Sequence, residues 1–127
     1  MATITARRPK YLNLFRIRQP VPAIVSILHR VSGAALFVFA WALLWLLQGI
    51  LQSPESFQHV TVLLGRPLAK LFLLAMLWAF LHHFFAGIRY LLLDLHLGIA
   101  LGPARASAWT VLFVSLALTL VLGAWLW

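Results

Sequence analysis

The stretch from Val31 to Leu51 reads VSGAALFVFAWALLWLLQGIL and carries no charge. As an α-helix at 1.5 Å per residue it is about 31 Å long, close to the thickness of a bilayer's hydrocarbon core. It is entered through the string Ser26-Ile27-Leu28-His29-Arg30-Val31-Ser32-Gly33, whose last three residues are its first. The first span therefore runs from about 24 to 51, with an arginine and a histidine near its mouth. Such groups are costly in a membrane-length helix unless they hold something or reach the interface.

Two further stretches fit the same solvent. One covers about 68–94 and is interrupted by His82, His83 and Arg89. The other covers about 107–127 and is uncharged. Each is far longer than a membrane strand of about ten residues, so the expected fold is an all-α membrane protein with three transmembrane helices. The composition agrees: 64% of the 127 residues are hydrophobic and only 9% are charged. A soluble domain of this size cannot bury that much apolar surface.

Ten Lys/Arg against Glu55 and Asp94 give a formal net charge of +8. The basic residues crowd at the ends of the apolar runs, which is a topology signal and not a nucleic-acid footprint. There is no cysteine, so disulfides, thiolate zinc sites and iron–sulfur ligation by this chain are excluded. The first apolar run is too long for a signal-peptide core, and no cleavage site follows it.

The chain divides into a basic tail, 1–22, and a three-helix membrane domain, 23–127. Arg7, Arg8, Lys10, Arg16 and Arg18 precede the first span, whereas the next connection and its edge offer only Arg66 and Lys70. The tail is expected in the cytoplasm, or in the matrix for a mitochondrial inner membrane, and Trp127 on the opposite side. Tyr11, Leu12, Leu14, Phe15 and Ile17 mix with Arg16 and Arg18, a pattern suited to the membrane surface. Pro20 and Pro22 separate the tail from the first helix. Ser53-Pro54-Glu55 reads as a stop and turn, and Gly98, Gly102 and Pro103 as a second break.

Ser26 and Arg30 are four apart and share a helix face, with His29 beside them. A hydroxyl and a guanidinium are donors suited to the carbonyls of a quinone head group. Position alone also allows Arg30 simply to snorkel. In the second span the adjacent His82 and His83 point about 100° apart, so they cannot serve one metal from one face. His83 lies on a ridge of small residues, Ala75, Ala79 and Gly87, where a planar macrocycle could approach the backbone. His82 lies in the bulkier row of Trp78 and Ala86. His83 is thus the better haem candidate, although the same ridge suits helix packing with His83 bonded across the interface. Tyr90 and Asp94 continue the His83 stripe. Arg89 follows His82 by seven and could meet a propionate or pair with Asp94. His59, His96 and Lys70 read as solvated or interfacial.

Taken together, these strings resemble the cytochrome b556 membrane-anchor subunits of succinate dehydrogenase (succinate:quinone reductase, Complex II). The carriers are Arg8-Pro9, the Ser26–Gly33 string, and His83-Phe84-Phe85-Ala86-Gly87-Ile88-Arg89 followed by Asp94. The resemblance covers nearly the whole chain. It implies a bacterial inner-membrane subunit packed with a second anchor subunit, beneath an iron–sulfur subunit and a flavoprotein that carries the succinate-oxidising site. It implies b-type haem shared with the partner anchor and ubiquinone as substrate. It carries the haem ligand over to His83, the quinone site to Ser26 and Arg30, and the propionates to His29, Arg30, Arg89 and Tyr90. Asp94 is the candidate for a proton network, and no catalytic residue is assigned. Tyr90 stands where such subunits commonly have histidine. It can donate one hydrogen bond but carries no charge at neutral pH.

At 1.5 Å per residue His83 lies about 16 Å from Asp94, whereas His29 sits close to the inner edge. That depth difference predicts a second haem ligand from another chain. The rival functions are a fumarate reductase anchor using menaquinol and a purely structural anchor without haem. A transporter fits least, for want of any internal repeat.

Overall fold

The computed structural model describes residues 17–127, and its described elements are all helical: α1 (Val21–Ile50), α2 (Pro54–Leu64), α3 (Pro67–Asp94) and α4 (Leu101–Leu126). The amphipathic tail from Tyr11 to Arg16 lies outside the described residues. α1, α3 and α4 are long and apolar enough to cross a membrane. At 30, 28 and 26 residues they measure about 45, 42 and 39 Å.

The helix starts explain three departures from expectation. α1 begins at Val21, with Pro22 inside its first turn. Proline is tolerated there because first-turn N–H groups have no partner within the helix. The same reason lets α4 begin at Leu101 and run through Gly102 and Pro103, so the expected break shrinks to the residues before Ala100. Ser53-Pro54-Glu55 ends nothing. It opens α2, where Ser53 Oγ accepts from the Ser56 N–H at 3.1 Å, Pro54 takes the first position and Glu55 the first turn.

α3 is the central element and packs against both α1 and α4, while α1 also touches α4. Small residues make the close approach on α4: Ala108, Ser115, Thr119 and Gly123 are buried in one stripe. Without a water-driven hydrophobic force between helices, membrane packing depends on such close contact. Ser115 Oγ donates to the Leu112 carbonyl at 3.1 Å and Thr119 Oγ1 to that of Ser115 at 2.7 Å. Their hydroxyls therefore reach the core already satisfied.

Large side chains point the other way. Phe37, Trp41, Trp45, Phe80, Phe84 and Phe113 are all exposed on the isolated chain, as expected for surfaces that meet lipid or other helices. At one end of the bundle Lys70 Nζ lies 4.9 Å over the Trp127 ring, joining the start of α3 to the end of α4. At the other end α3 closes with the Leu97 N–H on the Leu92 carbonyl at 2.9 Å and His96 at φ 61°. Arg30, Asp94 and Arg105 belong to that end, where α1 begins, α3 stops and α4 starts.

Candidate functional site

α1 and α3 meet through their polar residues. His83 lies half-buried on α3, and its ring stacks on that of His29 with centroids 4.2 Å apart and planes 10° apart. His83 Nδ1 is 3.0 Å from the His29 carbonyl oxygen and 3.3 Å from Ser32 Oγ. A carbonyl can only accept, so Nδ1 carries a proton, and in the neutral ring Nε2 holds the lone pair. Nε2 has no hydrogen bond among the described residues and is not sealed in the core.

The His29 ring also lies 5.1 Å from that of Tyr90, and Gly87 leaves room for it: a Cβ at Gly87 would sit 3.8 Å from His29 Nε2. The small ridge of α3 thus accommodates the two imidazoles as well as the helix contact. Tyr90 is partly buried, and its hydroxyl is buried with no partner. Buried hydroxyls normally have one, so this oxygen is a donor in want of an acceptor. Ser26 is half-buried and Arg30 exposed, two turns or less along α1 from the His29–His83 pair.

The stacking corrects the depth expected for His29. The two histidines lie at one level, not a helical turn or more apart. Stacked face to face 4.2 Å apart, the two rings leave no room between them for a third group, so they could not hold one metal ion from opposite sides. Among the described residues no three His, Cys, Asp or Glu side chains cluster as a metal site.

Arg89 stands on the ridge of His82 and Ala86, about 120° round α3 from His83. It is 5% exposed; its Nε donates to Ser107 Oγ at 3.0 Å and one Nη to the Ala104 carbonyl at 3.1 Å. It therefore reaches α4 and forms no ion pair with Asp94 among the described residues. Asp94 is exposed. His82 is fully buried against Trp78, with ring centroids 5.2 Å apart, and neither ring nitrogen has a hydrogen-bond partner.

A profile of the succinate dehydrogenase/fumarate reductase transmembrane subunit matches residues 4–122. The chain belongs to this family. It is 40% identical to the succinate dehydrogenase cytochrome b556 subunit of Coxiella burnetii, covering 98% of this chain and 100% of the relative. It is 30% identical to the subunit of that name from Rickettsia typhi, over 91% and 90% of the two chains. Against that of Paracoccus denitrificans it is 29% identical over 90% and 88%. Three apolar helices and a transmembrane-subunit family make the chain an integral membrane protein, and these relatives point to a bacterial inner membrane.

Within this transmembrane subunit, sequence reasoning assigned no separate duty to Ser32 or Gly33, and Gly87, read as space for a macrocycle, lies beside the His29 ring. Spacing puts Ser32 and Gly33, three and four after His29, on its face of α1, but does not say which helix that face meets.

Proposed function

We propose that the chain is a membrane anchor of a succinate:quinone oxidoreductase. In this reading it holds b-type haem with a second anchor subunit and forms part of the quinone-reduction site. The flavoprotein and iron–sulfur subunits, outside this chain, carry succinate oxidation and deliver the electrons. The tail faces the cytoplasm, so the end bearing Arg30 and Asp94 is the inner one.

One observation carries this: α1 grips Nδ1 of His83 and leaves Nε2 free to bind a metal. Metal-binding histidines typically have their second nitrogen held in this way. The remaining donors fit an acidic macrocycle. His29, Arg30 and the unpartnered Tyr90 hydroxyl offer hydrogen bonds or charge to propionates on the same side of α3. We assign Arg89 to holding α4 rather than to a propionate, since two of its donors are spent there. When bound, haem supplies one-electron storage and transfer.

Ser26 and Arg30 form one wall of the quinone site. The Ser26 hydroxyl donates to a quinone carbonyl and orients the ring. The Arg30 guanidinium favours negative charge as it develops on a quinone oxygen. The exposed Asp94 carboxylate can pass protons from cytoplasmic water. The succinate direction is preferred to fumarate reduction because the relatives named above are succinate dehydrogenase subunits.

The test is Arg30→Ala in the assembled complex. Quinone reduction and quinone-site inhibitor binding should both fall, while His83→Leu should abolish the b-type α-band. Unchanged quinone kinetics and inhibitor affinity in Arg30→Ala would remove the quinone assignment. An intact haem spectrum in His83→Leu would remove the ligand assignment.

A further inference from the structure

We propose that Ser32 and Gly33 are positioning residues for His83, the first by sharing its Nδ1–H and the second by lacking a Cβ. The inference rests on the reading of His83 as haem ligand. Three polar groups form a closed triangle. His83 Nδ1 is 3.0 Å from the His29 carbonyl, Ser32 Oγ is 3.0 Å from the same carbonyl, and Nδ1 and Oγ are 3.3 Å apart. The carbonyl accepts from both. With its own hydrogen spent on that carbonyl, Ser32 Oγ meets Nδ1 as an acceptor. The Nδ1–H is thus shared between two oxygens of one turn of α1, and Ser32 is only 4% exposed.

Gly33 supplies the space. A Cβ there would lie 2.8 Å from His83 Cε1 and 3.3 Å from Nδ1. These are atoms of a rigid ring, and the stacked His29 closes one direction of escape. The ring would have to rotate, which lengthens both Nδ1 contacts and re-aims Nε2. Nothing in the local backbone asks for glycine, because position 33 lies inside α1, where alanine is the better helix former. The ring on α3 is what its absent side chain accommodates.

Second-sphere hydrogen bonding to an axial imidazole raises its basicity and helps set the iron's potential. Removing one acceptor from Nδ1–H makes the imidazole a weaker donor and stabilises the ferric state less. The experiment uses the purified four-subunit complex: redox titration of the haem, low-temperature EPR of the oxidised haem, and haem per flavin. Ser32→Ala should raise the midpoint potential, and Ser32→Thr, which keeps the hydroxyl, should restore it. Gly33→Ala should shift the low-spin EPR signal or replace part of it by high-spin iron, with lower haem per flavin. Wild-type potentials and EPR in Ser32→Ala and Gly33→Ala, alongside haem loss in His83→Leu, would overturn this inference and leave the ligand intact. Haem retained in His83→Leu would instead defeat the underlying reading. Should Gly33→Ala fail to assemble, the Ser32→Ala and Ser32→Thr pair decides alone.

Discussion

Arg89→Lys separates two duties that the chain could ask of one cation. Arg89 makes two hydrogen bonds to α4 from two different nitrogens, Nε to Ser107 Oγ at 3.0 Å and Nη2 to the Ala104 carbonyl at 3.1 Å. Lysine brings three donors on one nitrogen at the end of a more flexible stem and lacks the planar fork that meets the two oxygens from two nitrogens, so the pair of contacts is weakened by the equivalent of about one bond. A hydrogen bond from a charged donor contributes about 1.5–3 kcal/mol. The lower end applies, because the Ala104 carbonyl keeps the Ser107 hydroxyl at 3.2 Å and is not left unpaired. A loss of about 1.5 kcal/mol is roughly tenfold in the equilibrium that docks α4 on α3. The positive charge stays, on the ridge turned away from His83. Heating the purified complex in detergent should therefore show a lower apparent Tm. The haem α-band and midpoint potential should match wild type. A shifted potential with an unchanged Tm would refute the assignment to α4 and return Arg89 to the haem.

Two further outcomes follow from the geometry. The isolated chain, mixed with haem in detergent, should give no six-coordinate low-spin spectrum, because the His29 and His83 rings are stacked and cannot oppose each other across iron; a bis-histidine spectrum from the chain alone contradicts this. Ser53→Ala removes the oxygen that accepts from the Ser56 N–H, costs about 0.5–2 kcal/mol locally, and should speed hydrogen exchange in the first turn of α2; protection equal to wild type would show that the cap contributes nothing.

The three spans were legible because uncharged runs of membrane length admit few other structures. α2 was not, because a serine, a proline and an acid read equally as a turn or as a helix start, and its eleven residues are too few to cross a bilayer. Gly102-Pro103 misled for a similar reason: proline breaks a helix from within but not in its first turn. At the site, four-residue spacing separated His83 from His82, and seven-residue spacing put Arg89 on the ridge of His82, but that this ridge faces α4 came only from the structure. Depth was the weak point. Counting 1.5 Å steps from each helix end assumes that the ends lie in one plane. α1 began earlier than expected, and two ring-bearing side chains closed the remaining distance between helices. The contacts of Ser32 and Gly33 were illegible because they depend on which face of α1 meets α3.

The His29 carbonyl accepts from α3 one peptide unit before Arg30. A side chain proposed to meet quinone and a backbone oxygen that orients His83 are thus parts of the same rigid turn. Substitutions on either side should therefore behave as one coupled set in double-mutant cycles, with energies that do not sum. A quinone-site variant in that turn needs its haem measured before its kinetics can be attributed to the quinone.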